Sequence, residues 1–111
     1  MARNLIIDRS QDRHFMAEAL ALAEAGAALG EVPVGALLVQ DGEVIGRGFN
    51  CPISTHDPSA HAEMVAIRDA AKAFATYLVA LTPESREQSL AVTAIEEAVF
   101  WANAAIARRE S

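Results

Sequence analysis

The sequence predicts an α+β chain: an N-terminal helix and a β-hairpin, followed by a long antiparallel α-helical hairpin. Three observations carry this. All six glycines (26, 30, 35, 42, 46 and 48) precede residue 49, and the stretch after Pro58 holds no glycine and one proline, so turns belong to the first half. Two β-prone runs flank Asp41-Gly42, a pair suited to a type I′ turn because both central residues need φ > 0. After residue 60, apolar side chains recur at helical spacing through two long segments.

Each element follows in order. Ser10 is a cap for a helix reaching about Leu29, with Phe15, Ala19, Leu22, Ala23 and Gly26 on one face and Gly30 as its stop. Val34–Val39 and Glu43–Phe49 form the hairpin. Asn50–Ser59, with Cys51, Pro52, His56, Asp57 and Pro58, is a loop. A helix from about Ala60 to Leu81 carries the stripe Met64, Ile67, Ala71, Phe74, Leu78 and Leu81. The next helix, 84–109, has two competing starts: Thr82 with Pro83 at the first helical position, or the capping box Ser85…Gln88. Its inner face is Ala91/Val92, Ile95, Ala98/Val99, Ala102 and Ala105/Ile106. The chain thus divides into 1–60 and 61–111, with one continuous helix across the junction.

Composition bounds the function. With 111 residues, one cysteine and a net charge of −6, the chain is a small domain without an intrachain disulfide framework. It is not built to hold duplex nucleic acid by charge. No apolar run approaches roughly 20 residues, so the expectation is a cytoplasmic protein with no membrane span. A two-stranded sheet is marginal unless helices 10–29 and 62–81 cover one face, and its open edge invites pairing with a second chain.

His61-Ala62-Glu63 opens the second helix. In zinc-dependent deamination an imidazole holds the metal and a carboxylate two residues on moves protons at the metal-bound water. A bland reading makes both ordinary helix-start residues, the dipole favouring Glu63. The order Ala25–Ala36, Asp41-Gly42, Gly48-Phe-Asn50 and His56-Asp-Pro-Ser-Ala-His-Ala-Glu-Met64 closely resembles the N-terminal half of the tRNA adenosine deaminase and cytidine-deaminase-like family, over about residues 14–72. The resemblance implies a sheet flanked by helices, a partial deaminase-like layer here. It also implies His61 as a metal ligand, Glu63 as the catalytic proton shuttle and Asn50 as a pocket residue touching the nucleoside sugar. The family adds two thiolates from P-C-x-x-C on the next helix. Here no cysteine follows Cys51, and Glu84 follows Pro83. Catalytic zinc normally takes three protein ligands. A substitute set of Cys51, His56 and His61 would sit in a loop of different geometry, and Cys51 otherwise reads as an inert small side chain.

The helical hairpin has its own signals. Its alanines permit close helix approach, and two helices of this size call for self-association into a homo-oligomer. Phe100 and Trp101 are adjacent and cannot both face one core, so one of them covers a partner or ligand. Arg108 and Arg109 either compensate the helix dipole or form phosphate-binding forks. Ser85-Arg-Glu-Gln-Ser-Leu-Ala91 and Ile95-Glu-Glu-Ala-Val-Phe-Trp-Ala-Asn-Ala-Ala-Ile-Ala-Arg108 resemble the C-terminal hairpin of phage anti-CBASS and anti-Thoeris sponges, over about residues 66–111. This resemblance implies oligomers that bind a cyclic oligonucleotide or a cyclic ADP-ribose-type molecule without turnover, with Trp101, Asn103, Arg108 and Arg109 as ligand-binding residues beside Asn50. Ala94 and Arg109 depart from the sponge pattern, which has lysine and asparagine there.

The favoured expectation is therefore a non-catalytic cyclic-nucleotide-sequestering protein that needs no cofactor. The alternative is a zinc-dependent nucleoside or tRNA adenosine or cytidine deaminase, inactive for want of its second and third zinc ligands. A purely structural helical oligomer is the third reading.

Overall fold

The computed structural model describes residues 9–57 and 60–110. Residues 1–8 and 111 lie outside these, as do Pro58 and Ser59 of the predicted 50–59 loop. The order is α1 (Asp12–Ala28), β1 (Gly35–Gln40), β2 (Glu43–Phe49), α2 (Ala62–Leu81) and α3 (Arg86–Glu110), the α+β sequence of elements that the glycine distribution and apolar periods predict.

α1 begins one residue beyond the expected cap. The cap position falls to Gln11, which makes no side-chain cap hydrogen bond, so Ser10 does not fill that role. The C-terminus ends as the sequence requires. Gly30 takes φ +83°, and its N–H and that of Glu31 donate to Ala27 and Gly26 carbonyls at 3.0 and 3.1 Å. A left-handed glycine that satisfies the last carbonyls is a standard helix stop.

β1 and β2 pair antiparallel from Gly35↔Phe49 to Gln40↔Glu43, with an irregularity between Leu38 and Val39. Asp41 (φ +52°) and Gly42 (φ +79°) occupy the left-handed positions of the turn, which is why Asp-Gly belongs there. The helices cover opposite faces of this hairpin rather than one. Gly35 and Phe49 meet α1 at Ala19, Ala23 and Gly26, whereas Gly46 and Gly48 meet α2 at Ala62, Ala66 and Ala70. Side-chain alternation along a strand requires this split, because Gly35 and Gly48 differ by one pairing position. Arg47 fastens the layers: its N–H donates to Asp69 Oδ2 of α2 at 2.9 Å, and its Nε to Glu18 Oε1 of α1 at 2.7 Å. Its side chain is half exposed, so the Glu18 pair adds only about 0.2–1 kcal/mol.

The core is correspondingly fine-grained. Ala23, Ala60, Ala62, Met64 and Ala66 are buried, with Gly26, Gly46 and Gly48 beside them. α3 packs against α2 and no other element. The radius of gyration, 15.9 Å, exceeds the ~13 Å usual for a chain of this length, as expected for a projecting helix pair.

The inner face of α3 is as predicted, with Val92, Ile95, Val99, Ala102 and Ile106 half-buried. On α2 the expected stripe holds in part, with Met64 buried and Ile67, Ala71 and Leu78 half-buried. Phe74 (58% exposed) and Leu81 (68%) face outward, and α3 meets the line Met64, Arg68, Ala71, Lys72 and Ala75. The sheet already claims Ala62, Ala66 and Ala70, leaving α3 the next face around the helix. Phe100 and Trp101 are both about two-thirds exposed and meet edge to face at 5.2 Å, so neither belongs to the core.

Of the two competing starts for α3, the structure uses Ser85, whose Oγ accepts from the Gln88 N–H at 3.1 Å. Gln88 does not complete the box. Its Nε2 reaches back to the Thr82 carbonyl (3.0 Å) and Val79 carbonyl (3.2 Å), binding the start of α3 to the end of α2. The expectation of no membrane-length apolar run is also corrected. By length and composition alone, Arg86–Arg109 is long and apolar enough to cross a membrane. Glu96 and Glu97 lie near its middle, where a charged side chain costs about 2.5–3.5 kcal/mol in a bilayer.

Two substitutions test this packing by thermal or urea unfolding. Gly48→Ala places a Cβ against the Ala62 carbonyl and 2.6 Å from the Ala66 nitrogen, and is expected to cost about 1–3 kcal/mol. Ser85→Ala removes the α3 cap and is expected to cost about 0.5–2 kcal/mol; an unchanged midpoint would show that α3 does not depend on Ser85.

Candidate functional site

The segment that presents His61 and Glu63 is a folded loop. The Cys51 N–H donates to the Ala60 carbonyl at 2.9 Å, and the Ala60 N–H to the Asp57 carbonyl at 3.0 Å. These close the loop at its base. The Thr55 N–H and hydroxyl both donate to the Cys51 carbonyl, at 3.1 and 2.5 Å. Arg68 Nη1 holds Asp57 Oδ2 at 3.1 Å, tying the far side of the loop to α2.

Glu31 organises the rest. It is 5% exposed, and its carboxylate accepts from the Ile53 N–H at 3.2 Å and the Ser54 N–H at 2.6 Å. Burial alone raises its pKa, but the hydrogen bonds from Ser54 and Ile53 outweigh burial and hold the carboxyl below its ordinary value. Sequence reasoning gave this residue no role. The available signal is local: a carboxylate between the helix stop at Gly30 and the apolar Val32-Pro-Val34 has no periodic reason to be there.

α2 starts at Ala62, with His61 extended at the cap position (φ −75°, ψ 151°) and making no side-chain cap hydrogen bond. The cap comes from another element. Asn50 Oδ1, at the end of β2, accepts from the Ala62 N–H at 3.0 Å. This satisfies one of the orphan donors of a helix start and frees the His61 imidazole from that duty. With Oδ1 engaged, Asn50 has its Nδ2 donors to offer a ligand. Glu63 stands half-buried in the first turn of α2, where the dipole favours a carboxylate. Asn50, His61 and Glu63 are therefore gathered at one helix terminus.

The donor set for a metal is not gathered. Among the described residues, no three His, Cys, Asp or Glu side chains come together in a metal-binding group. Cys51, half-buried, and His56, exposed with φ +55°, do not join His61 in such a set. One imidazole does not meet the three-ligand requirement of a catalytic zinc ion.

The residues expected to bind ligand on the hairpin all lie in the C-terminal half of α3. Trp101 is 66% exposed, and Arg108 and Arg109 are exposed in the last turn of α3. Asn103 alone of the four lines the groove between α2 and α3 at this end, with Met64, Arg68, Glu96 and Phe100. At about 100° per residue, Arg108 stands two turns beyond Trp101 on the same face of α3, while Asn103 lies on the face toward α2.

A three-layer arrangement with His-x-Glu at the start of the helix behind the hairpin is the layout of the zinc deaminases. The family model described as the cytidine and deoxycytidylate deaminase zinc-binding region matches residues 9–99, and the chain belongs to this family. Relatives agree. The tRNA-specific adenosine deaminase of Buchnera aphidicola is 48% identical over 66 residues, 60% of this chain and 41% of that protein. The chloroplastic tRNA(adenine(34)) deaminase of Arabidopsis thaliana is 47% identical over 74 residues, 67% of this chain and 6% of that protein. A solved tRNA:A34 deaminase superposes with a TM-score of 0.57 at 43% identity, covering 59% of this chain and 50% of that one. Guanine deaminase from Bacillus subtilis gives a TM-score of 0.52 at 41% identity, over 56% of this chain and 40% of that one. The chain thus spans half or less of the relatives it matches. None of these findings supports the resemblance of 66–111 to cyclic-nucleotide sponges.

Glu31 provides a pH test. Its folded pKa lies below the ordinary 4.5, so its stabilisation is fully present above that value and is lost as pH falls through the folded one. Melting temperatures between pH 7 and pH 3 are expected to fall in the acid limb. In Glu31→Gln they are expected to be lower at neutral pH and flatter below pH 4.5. A parallel pair of curves would show that the carboxylate does not hold the loop.

Proposed function

We propose that this chain is a nucleoside-binding member of the deaminase family that holds an adenosine-type base at the start of α2 without converting it. The observation that carries the reading is the combination at one helix terminus. Asn50, His61 and Glu63 stand at the start of α2, while no three metal-ligating side chains converge among the described residues. Relatives named for tRNA adenosine deamination support adenosine as the base. The net charge of −6 favours a free nucleoside or a single unpaired nucleotide over extended phosphate contacts.

The chemistry available is binding chemistry. The Asn50 Nδ2 group donates to ligand oxygens such as ribose hydroxyls. The Glu63 carboxylate accepts from an exocyclic amine or ring N–H, and the N-terminal amides of α2 favour partial negative charge on the ligand. In active family members, zinc activates the water that attacks the base. The residues present here do not supply its ligand set.

The test is a titration of the chain with adenosine, paired with an assay for inosine in zinc-supplemented buffer. Saturable binding without inosine is expected, and Asn50→Ala is expected to weaken binding about tenfold, the effect of one lost ligand hydrogen bond in a polar site. Inosine formation that disappears in Glu63→Ala would overturn the non-catalytic reading. Absence of saturable binding would overturn the proposal altogether.

A further inference from the structure

We propose that the groove between α2 and α3 binds a nucleotide lengthwise, its base at Asn103, its ribose at Glu96 and its phosphate at Lys72. Two cavities of about 410 and 420 Å³ open along this seam and share Arg68 and Glu96 in their walls. They form one continuous groove, and each has a size usual for small-molecule sites. The groove runs from Met64, in the first turn of α2, to Ala75, and its reading does not rest on the function proposed for Asn50, His61 and Glu63.

The polar groups are ordered along the groove. At one end Asn103 Oδ1 is buried without a hydrogen-bond partner among the described residues. Buried side-chain acceptors are almost always satisfied, so this atom calls for a donor from outside the chain. Phe100 lines the groove beside it, an aromatic surface against which a flat heterocycle packs. An exocyclic amine on such a ring meets the orphaned oxygen.

Seven positions back along α3 stands Glu96, about 10 Å away at a rise of 1.5 Å per residue. A carboxylate there accepts from the paired hydroxyls of a ribose. At the far end Lys72 lines the wall. Arg68, between them, is engaged by Asp57 at 3.1 Å, so the anionic end of the ligand falls to the lysine ammonium. Acceptor with aromatic, then carboxylate, then ammonium is the complement of base, sugar and phosphate.

The experiment is calorimetry of the full chain with adenosine 5′-monophosphate, adenosine and inorganic phosphate, with amide chemical-shift mapping of the monophosphate complex. Saturable binding of one monophosphate per chain is expected, with perturbed shifts concentrated in residues 64–75 of α2 and 92–104 of α3. Asn103→Leu and Lys72→Ala are each expected to weaken it about tenfold. Asn103→Leu is expected to melt no lower than the parent, since it removes the unsatisfied acceptor rather than a made bond. Lys72 is exposed, so its variant carries the test if the leucine variant misfolds. Four outcomes would overturn the proposal: no saturable binding, phosphate alone binding as tightly as the monophosphate, affinity unchanged in both variants, or shifts centred on Asn50, His61 and Glu63.

Discussion

At Gly35, Gly46 and Gly48 the strands lie so close to helix backbone that any side chain there would strike the carbonyls of Ala19, Ala66 and Ala62. This contact sets the thickness of the three layers, and the rest of the structure depends on it. Because the helices approach on small residues, the core is made mostly of alanine and glycine, with Met64. Large apolar side chains such as Met16, Leu20, Phe74 and Tyr77 are left outside. Stability then rests less on the volume of buried side chains than on backbone proximity and on the hydrogen bonds that fix the layers' angles. Arg47, reaching Glu18 on one side and Asp69 on the other, is one such fixing point.

The site follows from the same geometry. With α2 pressed onto Gly46 and Gly48, its first turn lies beside the end of β2, where Asn50 caps it. The cap and the Glu31 clamp on Ile53 and Ser54 hold the segment before His61. His61 and Glu63 are thus presented by backbone and second-layer hydrogen bonds that need no metal to form. What a deaminase adds is a ligand set from a following element. Here α3 follows after a short turn, and the helix it lays against Met64 and Arg68 brings Asn103, Phe100 and Glu96. The family framework is kept, and α3 lines its seam with α2 with amide, aromatic and carboxylate groups.

Much of this was legible in the residues. The Asp41-Gly42 turn, the Gly30 stop and the helical period after residue 60 gave the elements and their order, since each rests on local backbone preference. The His61-Ala-Glu63 motif and the residues around it marked the family that the comparisons show, and no cysteine follows Cys51. The comparisons give no support to the likeness of the C-terminal blocks to cyclic-nucleotide sponges, and long alanine-rich amphipathic helices constrain function weakly. Glu31 was missed because its partners are backbone amides more than 20 residues away, and no periodic pattern marks such a contact. Of the α2 stripe, Phe74 and Leu81 face outward, as the period alone does not say how far along the helix each neighbour reaches.

The sequence by itself determined the elements, the turn chemistry, the negative charge and the single histidine of the deaminase motif, because all of these are local or compositional. Only the tertiary structure decided that the helices take opposite faces of the hairpin, that Asn50 serves as the cap of α2, and that Ser85 rather than Thr82 starts α3. It also decided that Asn103 turns an unsatisfied oxygen into the seam between two helices. Each of these depends on which surfaces meet across long stretches of chain, and that is settled by steric fit and the satisfaction of buried polar groups.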